Sequence, residues 1–269
     1  MHAYELLQSP RPRSELRCAI GARHRPRAGD RAHDAVARVL ERCDVVVDPR
    51  DRSVAHHMLE VGFWEWWITR AIADCMRPGR VCVDVGANAG YFAALFTALG
   101  ASAVVAIEPH PELARRLRAT AGHNGWSHWQ VIESAVGDAP GSAHLHVHGD
   151  DNLGGSCLVP AASARTLAVP IQTLDALLGA CSGIQVIKID CEGSEPRIWR
   201  GMQRVLARNP DVHVFAELTV NGDARPWLDA ISAQGYPLRF VDYDAELKPL
   251  DRDRVGDREL WMVYLHRDR

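Results

Sequence analysis

The chain has 269 residues, 47% of them hydrophobic and 24% charged, with a formal net charge of −3 and a pI near 6.5. That is enough apolar material for one large globular domain, and the mildly acidic balance gives no electrostatic reason to expect nucleic acid or an anionic membrane as a partner. No apolar run approaches the roughly 20 residues of a membrane-crossing helix, the N-terminus lacks the apolar core of a secretory signal, and the seven cysteines form no C-x-x-C pair, so Cys75, Cys82, Cys181 and Cys191 are expected as buried free thiols in a reducing cytoplasm.

Residues 1–29 carry six arginines (11, 13, 17, 23, 25 and 27) against two glutamates (5 and 15), a local balance of +4, with prolines at 10, 12 and 26. They read as a flexible, solvated basic arm. Residues 30–78 are expected to form a helical, lid-like extension. It comprises a helix over about Asp30–Arg42, a short strand near Val45–Val47 and a helical stretch over His56–Met76, ended by Pro78-Gly79. The aromatics Phe63, Trp64, Trp66 and Trp67 in that stretch pack on a sheet or wall a ligand cleft. Residues 79–269 are the expected α/β domain.

That domain opens on its most informative run. Val81–Val85 reads as a buried strand, Gly86-Ala-Asn-Ala-Gly90 as a turn, and Phe92, Leu95, Phe96 and Leu99 as the apolar face of the helix that follows. A strand leading through a glycine-rich turn into a helix N-terminus is a nucleoside-binding arrangement. Gly86 and Gly90 alone do not make the G-x-G-x-x-G of a dinucleotide site, which counts against an NAD-dependent oxidoreductase. The next strand, Ala103–Ile107, ends at Glu108-Pro109, and an acid there is placed to accept hydrogen bonds from both ribose hydroxyls. The pattern D-x-G-x-x-x-G from Asp84 to Gly90, with Glu108, resembles class I S-adenosylmethionine (SAM) methyltransferases.

Strands are expected at about 81–85, 103–107, 128–133, 184–190, 211–218, 236–242 and 259–265, with helices near 89–99, 111–123, 173–180, 195–207 and 224–234. Strands separated by single helices imply parallel units, and the close pair Pro237–Val241 and Leu260–Leu265 implies an antiparallel hairpin. The expected fold is an α/β, Rossmann-like sandwich of the class I SAM-methyltransferase type. It has a mostly parallel seven-stranded sheet, a C-terminal hairpin and an N-terminal helical extension.

Between residues 142 and 169 the pattern changes. His144, His146 and His148 alternate with Leu145 and Val147, so a strand would carry three imidazoles on one face. Same-face neighbours on a strand lie about 6.6 Å apart, too far for three ligands of one straight strand to meet at one ion, and a wetted face is the plainer reading. The polar, glycine-rich run Asp150–Ser156 reads as a substrate-facing loop.

The apolar run Ile184–Ile189 is interrupted by Lys188 and leads into Asp190, Glu192 and Glu195, while the neighbouring strand ends in Glu217. Glu195 and Pro196 suit the first turn of a helix. A lysine flanked by isoleucines needs a carboxylate partner if buried, so Lys188, Asp190, Glu192 and Glu217 form either a structural ion network or a catalytic floor.

Taken co-linearly, Asp84–Tyr91, Glu108-Pro109, Asn124, Ser134–Asp138, Thr173-Leu-Asp175, Lys188–Gly193 with Glu195, and Glu217 resemble the FkbM family of methyltransferases, and Gly62 and Glu65 fit a glycine and glutamate ahead of the first motif. The resemblance spans roughly 60–220. It implies SAM-dependent methyl transfer, commonly to an oxygen, in natural-product or glycan modification. Applied residue by residue, it implies cofactor contacts at Glu65, Asp84, Gly86, Asn88, Gly90, Tyr91, Glu108, Pro109 and Asp190. Asp84 and the turn would hold the methionine end, Glu108 the ribose, and Ser134 and Ala135 the adenine. Asp190, Glu192 or Glu217 would orient the acceptor or act as base, with Lys188 tuning their charge. Mg2+ between Asp190 and Glu217 is a second option. The expected partner is a small-molecule or sugar acceptor, with self-association left open. N-methylation and a non-catalytic SAM-fold module are the alternatives.

Overall fold

The computed structural model describes residues 27–28, 34–147, 155–158, 165–221, 223–257 and 260–267. The expected basic arm lies outside the described residues except for Arg27 and Ala28, as do His148 and residues 150–154 of the glycine-rich loop.

Where a helix is expected over 30–42, residues 35–39 form a strand, while the strand expected near 45–47 is present. β1 (Arg27–Ala28), β2 (Ala35–Val39) and β3 (Cys43–Val47) make an antiparallel sheet in that order. Two local features override the helix-prone composition. Leu40 and Glu41 adopt left-handed conformations (φ 52° and 58°) that reverse the chain. The free edge of β3 is satisfied by the helix Pro111–Asn124. Val46 N–H donates to Thr120 Oγ1 at 2.9 Å, while Asn124 accepts from Asp44 N–H at 3.2 Å and donates to its carbonyl at 2.7 Å. Buried Arg116 on that helix binds Asp34 and Asp48 at 3.0 and 2.8 Å, anchoring both ends of the hairpin.

The expected single helix over 56–76 is two helices, α1 (Val54–Val61) and α2 (Trp66–Cys75). Gly62 (φ 75°) closes α1, its N–H reaching the Met58 carbonyl at 3.0 Å. Glu65, itself left-handed (φ 37°, ψ 69°), begins α2. The break puts Trp64 and Glu65 on a corner rather than on a helix face.

The main sheet has eight strands, one more than expected. They are β4 (Val81–Val85), β5 (Ala103–Ile107), β6 (Trp129–Ile132), β10 (Ile184–Ile189), β11 (His213–Thr219), β12 (Arg239–Val241), β13 (Leu247–Pro249) and β14 (Leu260–Leu265), in the order β13-β12-β14-β11-β10-β4-β5-β6. The five from β11 to β6 are parallel; β14, β12 and β13 add on antiparallel. The expected C-terminal hairpin is therefore interrupted: β12 and β14 pair, but β13 lies between them in sequence and extends the edge. A separate small sheet, ordered β7-β9-β8, contains β7 (Ala135–Val136), β8 (Gly141–Val147) and β9 (Arg165–Gln172). On β8, Leu145 and Val147 point inward and His144 is exposed.

The remaining helices are α3 (Tyr91–Ala98), α4 (Pro111–Asn124), α5 (Leu174–Leu177), α6 (Glu195–Arg200), α7 (Gln203–Arg208) and α8 (Ala224–Ala233). The expected helix over 195–207 is split between α6 and α7 at Gly201, where a Cβ would stand 2.1 Å from the Gly137 carbonyl oxygen. Alternation along the strands divides the core in two. Cys82, Val104, Val186 and Phe215 pack with α2 and α3, and Val83, Val105, Ile187 and Val214 with α6, α7 and α8. Among the described residues no helix is long and apolar enough to cross a membrane, and the six cysteines are free thiols.

Candidate active site

Strand register brings the charged residues together. Asp84 pairs with Lys188 on one side and Ala106 on the other, and Lys188 pairs with Phe215. Side chains repeat on one face every two residues. Glu108, two beyond Ala106, and Glu217, two beyond Phe215, therefore share the face of Asp84, Lys188 and Asp190 at the C-terminal end of the sheet. Ligands bind open α/β sheets at that end.

The turn after β4 is built for close approach. Gly86 N–H and Ala87 N–H donate to the Ile107 carbonyl at 2.9 and 3.0 Å. At Gly86 (φ 77°) a Cβ would lie 1.9 Å from the Asp190 carbonyl oxygen, so only glycine lets β4 and β10 end side by side. Glu108 ties this turn to the next loop, accepting from Asn88 N–H and His110 N–H, both at 2.8 Å. The turn, the Trp64-Glu65 corner, the ends of β10 and β11 and residues 155–158 enclose a cavity of about 310 Å3, at the lower end of the usual range for small-molecule sites.

One ammonium serves a crowd of carboxyls. Lys188 is 3% exposed; its Nζ lies 2.7 Å from Asp190 Oδ2 and 4.3 Å from the centre of the Phe92 ring. Burial opposes its charge, but the carboxylates of Asp190, Asp84 and Glu65 outweigh that and hold it above the usual lysine range. Burial lifts Glu65 and Glu108 to about 7 and Asp84 to about 6. Glu217 and Asp190 interact through their side chains. Burial and the charge of Asp190 push Glu217 strongly upward, while Lys188 overcomes burial to hold Asp190 down. The pair thus carries one proton, on Glu217, near neutral pH.

Most of the sequence-derived residues meet at the cavity: Glu65, Gly86, Asn88, Tyr91, Glu108, Pro109, Ser134, Ala135, Lys188, Asp190, Glu192 and Glu217 all line it. Two predicted contacts do not. Asp84 lies beneath the wall, 1% exposed, and caps the helix by accepting from Ala93 N–H at 3.1 Å. Gly90 faces away, where a Cβ would meet Leu117 Cδ2 at 2.6 Å. Several residues of the shared pattern are structural. Asn124 clamps β3, Thr173 caps α5 by accepting from Ala176 N–H at 3.1 Å, Asp175 accepts from Val205 N–H at 2.8 Å, and Asp138 pairs with Arg197 and Arg200. Glu195 shapes the loop after β10 by accepting from Cys191 N–H at 2.7 Å.

Sequence reasoning missed Ser53, Val54 and Phe92 as lining residues, and Thr69, whose hydroxyl lies 2.9 Å from Tyr91 Oη. No local pattern marks the first two. Phe92 could have been placed by its position one residue into the helix, across from Lys188. Trp64 was readable as a wall, and it is one.

A family model described as the methyltransferase FkbM domain matches residues 84–238, more than half of the chain. Among solved structures, a methyltransferase FkbM from Methylobacillus flagellatus KT is similar with a TM-score of 0.50 at 15% identity, over 71% of this chain and 44% of that one, so the chain spans less than half of that protein's length. An rRNA methylase from Streptococcus thermophilus is similar at a TM-score of 0.47 and 11% identity, over 75% of this chain and 95% of that one. A methyltransferase from Streptococcus mutans, solved with S-adenosylhomocysteine (SAH), gives 0.43 and 9%, over 74% and 95%. No curated protein matches the chain. With its methyltransferase-like α/β sheet and the family match across the ends of β4, β5, β10 and β11, the chain belongs to the FkbM family of SAM-dependent methyltransferases.

Proposed function

We propose that the chain is an O-methyltransferase acting on a hydroxyl of a small molecule, sugar or natural product. The observation that carries this is the Lys188–Asp190–Glu217 cluster at the cavity floor, where Lys188 Nζ lies 2.7 Å from Asp190 Oδ2 and holds it ionised while buried Glu217 is pushed toward its protonated form. SAM fits the rest of the site. The buried oxygens Glu65 Oε2 and Asn88 Oδ1 lack hydrogen-bond partners and line the cavity. They suit the donor groups of a methionine ammonium and an adenosine, and Gly86 leaves room for no side chain.

Bound SAM supplies an electrophilic methyl on a sulfonium. Glu65 receives the methionine ammonium, Glu108 the ribose hydroxyls, and Ser134 and Ala135 flank the adenine. Asp84 acts from below, fixing the first turn of α3 and sharing the charge of Lys188. Protonated Glu217 orients the acceptor oxygen. Asp190, kept ionised by Lys188, takes the hydroxyl proton at Oδ1 or Oδ2. A carboxylate of low basicity suffices, because the oxygen becomes strongly acidic as positive charge builds on it. Glu192, left-handed (φ 51°) and exposed at the mouth, adds negative charge that favours this charge build-up. The same carboxylates hold an amine as its ammonium, which has no lone pair to attack, and this favours oxygen over nitrogen as the acceptor.

The donor set does not fit Mg2+. Asp190 is already engaged by an ammonium at 2.7 Å, and among the described residues no group of three His, Cys, Asp or Glu side chains converges for a metal. Free thiols fit a reducing, cytoplasmic setting. Incubation with 13C-methyl SAM and candidate acceptors, with and without EDTA, tests the proposal: an O-methyl carbon in the product, formed equally in both, is expected. An N-methyl product, or loss of activity with EDTA, would contradict it.

A further inference from the structure

Ser194 carries a hydroxyl that the fold leaves unused. It stands at the start of α6, where a serine ordinarily caps the helix by accepting an amide N–H. Here the backbone is already helical (φ −88°, ψ −4°) and the side chain makes no capping bond. Among the described residues the hydroxyl has no hydrogen-bond partner. The residue is 5% exposed and borders the cavity, and its oxygen is not fully enclosed by protein, so the access it keeps is onto the cavity. A polar group this far from bulk water needs a partner, and the cavity is where one can sit. The pattern shared with the FkbM family passes over this position, running Lys188–Gly193 and resuming at Glu195.

Contacts put Ser194 on the adenine side of the cavity. Val136, which also lines it, packs in the same core as Ile198 of α6. Arg197 Nη2 lies 3.0 Å from Asp138 Oδ1, tying the first turn of α6 to the segment that follows Ser134. Phe92 packs with the other core, on the face of α2 and α3, and Glu65 begins α2. The serine expected at the adenine has its hydrogen committed: Ser134 Oγ donates to the Ala135 and Pro170 carbonyls at 2.8 and 3.2 Å. Resting on the SAM reading above, we infer that Ser194 Oγ hydrogen-bonds the edge of the adenine ring and helps select the cofactor's base. A hydroxyl can donate to a ring nitrogen or accept from the 6-amino group.

Calorimetric titration of the full chain with SAH and with its 1-deaza, 3-deaza, 7-deaza and 6-oxo (inosyl) analogues tests this. Each analogue alters the base edge at a different place. Ser194→Ala is expected to weaken SAH binding about three- to tenfold, the range of one ordinary hydrogen bond. The Tm of the ligand-free protein should stay unchanged, because no helix cap is lost. For at least one analogue the parent and the variant should bind alike, since the contacted atom is already gone. Equal SAH affinity in the two proteins would overturn the inference. So would a Ser194→Ala deficit that persists across all four analogues, which would show that the hydroxyl serves the fold. Either result leaves the methyltransferase reading intact. If the parent chain does not bind SAH at all, that reading fails and the inference falls with it.

Discussion

Tyr91 Oη lies 2.9 Å from Thr69 Oγ1, joining the first residue of the cofactor helix to the helix that follows the Trp64-Glu65 corner. Thr69 holds that corner twice more: its hydroxyl donates to the Trp64 carbonyl at 2.8 Å and its N–H to the Glu65 carbonyl at 3.0 Å. Thr69 itself is fully buried. Glu65 sits in a left-handed conformation that surrounding structure must enforce. Thr69 is therefore a positioning residue for Glu65. Thr69→Val keeps the shape and removes the hydroxyl bonds, each worth about 0.5–1.5 kcal/mol. We expect SAH affinity to fall roughly tenfold, Thr69→Ser to restore it, and the Val effect to vanish in a Glu65→Gln background. A full Val effect in that background would show that Thr69 acts on the fold alone.

Removing Lys188 should be severe. Lys188→Met leaves Asp190, Asp84 and Glu65 without their cation, and breaking a buried pair by deleting one partner costs about 3–5 kcal/mol. The loss, measured by urea unfolding, should be large at pH 8 and smaller at pH 5, where the stranded carboxyls can take up protons. An equal loss at both pH values would mean that packing against Phe92, not charge, is what Lys188 provides.

The raised carboxyls predict a pH profile. Glu65, Glu108 and Glu195 titrate near 7 in the folded chain and Asp84 near 6, against ordinary values of 4.5 and 3.8. Between about pH 4.5 and 7 the folded state thus binds more protons than the unfolded state, so the stability of the ligand-free protein declines as pH rises through this window. SAH, bringing an ammonium and hydroxyl donors to Glu65 and Glu108, favours their ionised forms. Binding at pH 6.5 should release protons, seen as calorimetric enthalpies that vary with the ionisation heat of the buffer. Glu65→Gln should reduce the release, and net proton uptake would contradict the assignment.

Two glycines separate binding from folding. Gly86→Ala would put a Cβ 1.9 Å from the Asp190 carbonyl in a left-handed conformation (φ 77°), and Gly201→Ala would put one 2.1 Å from the Gly137 carbonyl, away from the cavity. Both should lower Tm by several degrees. Only Gly86→Ala should also weaken SAH binding, by tenfold or more, in the fraction that remains folded.

Much of the site was legible because it depends on strand ends and a period of two. Asp84, Glu108, Lys188, Asp190 and Glu217 could be found as acids, or a lysine, at the C-terminal ends of apolar runs, and register then put them on one face. The depth of each was not legible. Whether Asp84 lines the cavity or lies beneath it depends on where α3 begins and which amide it caps. The strand near 45–47 was legible from its valines, but its partner over 35–39 was missed because the pairing is held by residues far along the chain, Thr120, Asn124 and Arg116, rather than by local composition. The break before α2 was missed because a left-handed glutamate has no sequence signature.

In the proposed function, the turn after β4 and the corner at Glu65 hold the adenosylmethionine skeleton. Parallel titrations of the full chain with SAH and NAD decide this. One SAH per chain with micromolar-order affinity, weakened at least tenfold by Glu65→Gln and by Glu108→Gln, and no binding of NAD, is the predicted result. Failure of SAH to bind, or binding of NAD in its place, would contradict it.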